Sequence, residues 1–245
     1  MTVYAIIPAR FGSKGLPGKN TMDLAGHPLV SYSVSTALAC QFIDEVYVSS
    51  DDQTTLDIAR QYGSKTILRP KSISGDLSRD QEFIKHFFYN FNNISRNDLL
   101  LLLRPTHPLR DNKVLENAYN LYKGSPLADS LKSLKKSTEI PFKKWVIDST
   151  GFATPLIKNN FGVEDFMNAP RQILPNTYYQ DGYVDIFPFN TVFRFDSTVG
   201  EKVIPFIVSE PLIDIDTNQD FASVQNFLNQ DTLPDWFSFP KKVIN

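Results

Sequence analysis

The stretch Ala5-Ile6-Ile7-Pro8-Ala9-Arg10-Phe11-Gly12-Ser13-Lys14-Gly15-Leu16-Pro17-Gly18-Lys19-Asn20 opens on a short apolar run suited to a fully buried strand. It continues into a loop punctuated by Gly12, Gly15, Pro17 and Gly18. Glycine lets backbone N–H groups approach an anion closely, and Arg10, Lys14 and Lys19 bring positive charge to the same strand end. The segment therefore reads as a phosphate loop following strand 1. It is not a P-loop, because Gly18-Lys19 would need glycine at 13 and Ser or Thr at 20, where Ser13 and Asn20 stand. It is not the dinucleotide fingerprint either, since Lys14 occupies the place of the second glycine. A solvated turn with scattered lysines is the plainer alternative.

Outward from this stretch, strand-like and helix-like segments alternate. Val3–Pro8, Glu45–Ser49, Lys65–Leu68 and the leucine run Leu99–Leu103 read as strands, the last buried on both faces. Leu29, Val30, Val34, Ala37 and Leu38 recur at helical spacing, and Asp57–Tyr62 belongs to a second helix. Ser78 with Gln81 has the pattern of a capping box before Phe83, Ile84, Phe87, Phe88 and Phe91, and Asp111 is placed to cap a helix through Val114, Leu115, Ala118 and Tyr119. Such alternation with short connections predicts an α/β fold with a doubly wound, mainly parallel sheet. Ligands of such sheets sit beyond the carboxyl ends of the strands. That rim gathers the opening loop, Ser49-Ser50-Asp51-Asp52, Arg69-Pro70, and the stiff loop Arg104-Pro105-Thr106-His107-Pro108-Leu109-Arg110, whose two arginines suit anions.

The 245 residues are enough for a substantial core, and a net charge of −2 gives no general attraction to nucleic acid or anionic membrane. Cys40 is the single cysteine, which excludes an intramolecular disulfide and fits a reducing cytoplasm. No segment approaches the ~20 apolar residues of a membrane span, and residues 1–8 run directly into a strand rather than a signal peptide. His27, His86 and His107 show neither triad nor metal spacing. From about Ser137 to Gln180 the alternation stops. Phe142, Trp145, Phe152, Phe161 and Phe166 have no obvious partner in the main sheet, so a protruding arm that packs on a second subunit is expected, with a β-rich subdomain folded on its own chain as the alternative. Strands are expected there at Lys144–Ile147 and Phe152–Pro155.

Near the C-terminal end, Ile213-Asp214-Ile215-Asp216-Thr217 reads as a strand end, with Asp214 and Asp216 on one face and the isoleucines on the other. Two adjacent carboxylates repel unless a cation lies near, and Mg²⁺ takes oxygen ligands with substrate phosphates completing its shell. A helix capped by Thr217 or Asn218 follows, carrying Phe221, Val224, Phe227 and Leu228.

The opening segment resembles the nucleotide-binding signature of the CMP-sialic acid synthetase family, the cytidylyltransferases that activate 2-keto sugar acids. Val48-Ser49-Ser50-Asp51, Leu68-Arg69-Pro70 with Gly75-Asp76, Ala169-Pro170-Arg171-Gln172, Asp181-Gly182-Tyr183-Val184-Asp185-Ile186 and Asp214-Ile215-Asp216-Thr217 are similar to further family segments, so the likeness spans nearly the whole chain. It implies one nucleotidyltransferase domain over residues 1–245, Rossmann-like, with residues 137–180 as an inserted dimerisation arm. It implies CTP contacts from Ala9, Arg10, Gly12, Ser13, Lys14, Asn20, Arg69 and Asp76, and catalysis by Arg10, Lys14, Lys19, Asp214 and Asp216, the two aspartates holding Mg²⁺. It assigns the acceptor, a 2-keto-3-deoxy sugar acid, to Arg104, Thr106, Arg171, Gln172 and Tyr179, with Arg171 as a bidentate partner for the carboxylate. Sialic acid enzymes usually read Gln-Pro-Thr-Ser-Pro-Leu-Arg where this chain has Arg104-Pro105-Thr106-His107-Pro108-Leu109-Arg110, and Asp181 stands where Asn is commoner, so an acceptor other than N-acetylneuraminic acid is expected. An enzyme activating a sugar phosphate, or a non-catalytic nucleotide-binding relative, would share the sheet and the loop.

Overall fold

The computed structural model describes residues 1–12, 15–208 and 213–243. The chain divides into two units. The first comprises Met1–Ser133, Gly182–Phe206 and the described C-terminal residues 213–243; the second comprises Leu134–Asp181 with residues 207–208.

Among the described residues, six strands and four helices take the chain as far as Lys123. β1 is Val3–Pro8, and a two-residue ribbon of β2 (Asp23–Leu24) and β3 (His27–Pro28) leads into α1 (Leu29–Ala39). Then come β4 (Glu45–Ser50), α2 (Gln53–Gln61), β5 (Lys65–Leu68), α3 (Asp80–Asn90), β6 (Leu99–Leu102) and α4 (Asn112–Lys123). β7 (Ser130–Lys136) follows, then β8 (Trp145–Ile147) and β9 (Ala153–Pro155), β10 (Tyr178–Pro188), α5 (Phe189–Phe195), β11 (Val203–Ile207) and α6 (Asn218–Leu228). The main sheet has the order β11-β7-β10-β6-β1-β4-β5. β6, β1, β4 and β5 pair in parallel, as their long crossovers require, and β10 runs antiparallel to β6.

Alternation along the strands divides the core. Tyr4, Ile6, Tyr47, Ile67, Leu100 and Leu102 pack against Phe83, Ile84 and Phe87 of α3 and Phe189 and Val192 of α5. Ala5 and Ile7 point to the opposite face and are equally buried, and α1 packs on β1 and β4. Asp52 caps α2 through the Thr55 N–H at 2.8 Å, and Asp111 caps α4 through the Lys113 N–H at 2.8 Å. The start of α3 departs from expectation. Its reciprocal contact joins Glu82 to the Arg79 N–H at 3.0 Å, one residue later than Ser78 and Gln81 suggested, and Gln81 is buried instead. Lys132 on β7 and Asp185 on β10 form a buried ion pair at 3.0 Å; burial lowers the Lys132 pKa and the carboxylate opposes that shift.

In the second unit, β8 and β9 form an antiparallel hairpin with Trp145 opposite Pro155 and Ile147 opposite Ala153. Asp148 closes its turn by accepting from the Thr150 N–H at 2.8 Å and the Phe152 N–H at 3.1 Å. Phe142, Ala169 and Leu174 form a small core within this unit, joined by Phe161 and Phe166. Trp145, Ile147 and Phe152 stay exposed. No described helix is long and apolar enough to cross a membrane.

Candidate active site

The end of β1 is held by its neighbour: the Ala9 N–H donates to the Ser49 carbonyl at 2.9 Å, and the Phe11 N–H donates to Asp51 at 2.9 Å. Asn20 is buried and donates to the Arg10 carbonyl at 2.9 Å, folding the loop back on its own entrance. Gly18 takes φ +69° ahead of a short turn of 3₁₀ helix at Lys19–Thr21, a left-handed conformation that favours glycine. Gly15 lies where a methyl group would sit 2.4 Å from the Asp216 carbonyl oxygen, so only glycine allows the loop to meet the acidic segment. Gly12 has open space around it. Ser13 and Lys14 lie outside the described residues.

Beyond these strand ends is a cavity of about 410 Å³. Arg10, Lys19, Asn20, Arg69, Arg104, Thr106 and Asp216 all line it, so seven of the residues singled out in the sequence converge. Lys19 Nζ donates to the Ile215 carbonyl at 3.0 Å and to Asp216 at 3.2 Å. Arg10 donates to the Gly75 carbonyl at 2.6 Å and pairs with Asp76 at 3.3 Å. Arg69 is buried, stacked 4.4 Å from the Phe83 ring centre, and bonded to the Ser49 side chain and carbonyl; burial pushes its pKa down to about 10. Its guanidinium therefore braces the β4 and β5 ends as well as lining the cavity.

Arg104 and Arg110, paired in the sequence reading as anion ligands, separate in the structure. Arg110 is buried and donates to the carbonyls of Tyr183 at 2.8 Å, His107 at 2.6 Å and Arg104 at 2.6 Å, and to Ser33 at 2.8 Å. It satisfies the carbonyls of a proline-stiffened loop and is no anion ligand. Arg104 lines the cavity and donates to Asp80 at 2.6 Å.

Among the described residues, 213–216 form no strand, a correction to the sequence reading; the Ile215 N–H bonds the Thr106 carbonyl at 2.9 Å. The alternation nevertheless survives. Ile215 is fully buried, while the Asp214 and Asp216 side chains are 43% and 71% exposed. Asp214 lies 3.7 Å from His107 Nε2 and Asp216 beside Lys19, so each carboxylate has a cationic or potentially cationic neighbour. Sequence reasoning missed Asp80, Arg79 and Phe83 in the cavity wall. The acidic first turn of α3 was the available signal, hidden by placing the helix cap too early. Arg171, Gln172 and Tyr179 are exposed residues of the second unit, the first two in a 3₁₀ turn and Tyr179 on β10. Cys40 is buried, with its thiol pKa pushed up to about 12 by burial, and takes no part.

A family model described as Cytidylyltransferase matches residues 4–144. The chain is 31% identical over 243 residues to the CMP-N,N'-diacetyllegionaminic acid synthase of Legionella pneumophila, covering 95% of this chain and 100% of that protein. It is 27% identical over 227 residues to the N-acylneuraminate cytidylyltransferase of Streptococcus agalactiae serotype III, covering 91% of this chain but 52% of that protein; it thus spans about half the length of that relative. A solved CMP:2-keto-3-deoxy-manno-octonic acid synthetase complexed with CTP superimposes with a TM-score of 0.67 at 16% identity, covering 93% of this chain and 98% of the other, a likeness of fold. With the glycine-built loop, the cationic cavity and the Asp-Ile-Asp-Thr segment already assembled on one rim, these matches show that the chain belongs to the CMP-sialic acid synthetase family of cytidylyltransferases.

Proposed function

We propose that this protein transfers CMP from CTP to the anomeric hydroxyl of a 2-keto-3-deoxy sugar acid, releasing pyrophosphate. The observation that carries the proposal is the convergence of Arg10 and Lys19 with Asp216 in one cavity at the carboxyl end of β1. In the reaction the anomeric oxygen attacks the α-phosphorus, the α–β P–O bond breaks in line, and the hydroxyl proton is lost to solvent or a carboxylate. The protein's task is to hold both reactants and balance developing charge. Arg10 and Lys19, with Lys14, are assigned to the triphosphate. Arg171, Gln172 and Tyr179 are assigned to the sugar acid, the arginine to its carboxylate.

The donor set suits Mg²⁺. Among the described residues no cluster of three or more metal-ligating side chains exists, yet Mg²⁺ bound with a nucleotide takes one or two carboxylates and completes its shell with phosphate oxygens and water. Asp214 and Asp216 carry exposed carboxylates at this rim and would hold it. When bound, the ion supplies charge neutralisation on the phosphates. The relatives named above act on an N-acylneuraminate and a diacetyllegionaminic acid, which supports a sugar acid as acceptor. We place the enzyme in the cytoplasm as a homodimer.

Pyrophosphate release, measured with each of four nucleoside triphosphates against a panel of sugar acids and sugar phosphates, tests the proposal. Turnover should require CTP, a 2-keto-3-deoxy sugar acid and Mg²⁺. Preference for another triphosphate, or for a sugar phosphate, would favour a different nucleotidyltransferase activity.

A further inference from the structure

Asp80 lines the cavity and has no role in the transfer proposed above. It stands in the first turn of α3, and its carboxylate accepts from Arg104 Nη2 at 2.6 Å. Both side chains line the cavity and are about one third exposed, 31% for Asp80 and 32% for Arg104. We propose that Asp80 is a specificity-determining residue, reading with Arg104 an uncharged hydroxyl or acylamino substituent of the sugar acid. The proposal rests on the cytidylyltransferase reading above.

Three observations lead there. First, the pair is held firmly. The Arg104 carbonyl accepts from Arg110 at 2.6 Å, which pins the backbone, and the Arg104 side chain lies over Gly182, where a methyl group would come within 3.0 Å of Arg104 Cδ. Gly182 has φ +77°, so the space is reserved both sterically and by backbone conformation. Second, the pair is neutral as a unit. Burial works against the Arg104 charge, but Asp80 and the more distant Asp185 and Asp214 more than offset it, so the guanidinium stays charged and its charge is already matched. The guanidinium keeps a fork of N–H donors beside a carboxylate with free lone pairs, which suits a group that both donates and accepts. Third, Arg104 follows β6 on the side of β1 away from β4 and β5, while Asp80 reaches it from the first turn of α3, so the pair joins two walls of the cavity. In a transfer over the β1 loop the two reactants approach from opposite sides, and the inference assigns the β6 side, where Arg104 stands, to the acceptor.

The test uses Asp80→Asn and Asp80→Ala in the 245-residue chain. Steady-state kinetics are measured on the best sugar acid found and on an analogue lacking one hydroxyl or acylamino group, with CTP KM as an internal control. Asp80→Ala should raise the acceptor KM about tenfold or more, with the CTP KM within about twofold, and should shrink the wild-type preference for the substituted acceptor over the deoxy analogue by a similar factor. Asp80→Asn, which retains an acceptor oxygen, should fall between wild type and Asp80→Ala. An equal loss on both acceptors, or a rise confined to the CTP KM as for a residue on the ribose, would overturn the assignment. Wild-type protein that turns over no sugar acid with CTP would overturn the cytidylyltransferase reading and this inference with it.

Discussion

Asp216 and Lys19 show how much a single residue can carry. The Asp216 carboxylate is exposed and within 3.2 Å of Lys19, so it stands at the junction of the cations proposed for the triphosphate and the proposed metal ligands. Asp216→Asn keeps the side-chain shape but is a poor Mg²⁺ ligand; turnover should fall by at least two orders of magnitude while circular dichroism and Tm stay near wild type. Near-normal activity at saturating Mg²⁺ would remove it from the metal site. Arg171→Ala should raise the sugar-acid KM by a factor on the order of ten to several hundred, the loss of ~1.5–3 kcal/mol of charged hydrogen bonding, with little change in CTP KM. A rise in CTP KM instead would reassign the residue. Arg110 is the contrasting case, an arginine that holds structure. Arg110→Met would leave buried carbonyls of Arg104, His107 and Tyr183 without that donor, at about 1–3 kcal/mol each before relaxation. Urea denaturation should show a loss of about 3 kcal/mol or more, and an unchanged midpoint would contradict the assignment.

At the scale of elements, the start of α6 is the most exposed to chemistry. Thr217 accepts from the Asp220 N–H at 3.2 Å and Asp220 accepts from the Thr217 N–H at 2.8 Å, a reciprocal cap directly after Asp216. The hydrogen bond from the Thr217 hydroxyl comes first among the contacts that lower the Asp220 pKa, followed by those from backbone N–H groups. A depressed carboxyl contributes stability above its unfolded value, near 3.9, and that contribution is lost as pH falls through the folded value. Thr217→Ala should therefore lower stability by about 1 kcal/mol at neutral pH, and the gap between wild type and variant should narrow below about pH 4. A gap constant from pH 7 to pH 3 would show that the ionised cap is not its source. The α1, α2 and α4 helices were legible from apolar spacing and cap residues, because those signals are local. The α3 cap was misplaced by one residue because Ser78 and Gln81 satisfy the same local pattern; burial of Gln81 is decided by tertiary packing.

For the whole molecule, the second unit's exposed apolar surface bears on assembly. Its own small core takes in Phe142, Phe161 and Phe166, which answers part of the aromatic excess without a partner. The hairpin residues Ile147 and Phe152 remain 72% and 73% exposed beside Trp145, and this is the surface assigned to the homodimer. Sedimentation at micromolar concentration should show a dimer for wild type, and Ile147→Asp with Phe152→Asp should shift it to monomer without loss of secondary structure. A wild-type monomer would refute the assembly.

Local chemistry was sufficient to read the β1 strand and its glycine-rich loop, the leucine strand, the caps at Asp111 and Thr217, and the alternation that exposes Asp214 and Asp216 around buried Ile215. These features depend on residues within a few positions of one another, so spacing and residue type determine them. Contacts across long stretches of chain were decided only by the fold. Arg104 and Arg110 are alike in sequence, six residues apart in one loop, yet one lies in the cavity wall beside Asp80 and the other is buried among carbonyls. Gly15 meets Asp216 across some 200 residues, and Lys132 finds Asp185 across the sheet. Such pairings follow from strand order and burial, since the cost of an unpaired buried charge is set by what the folded chain places next to it.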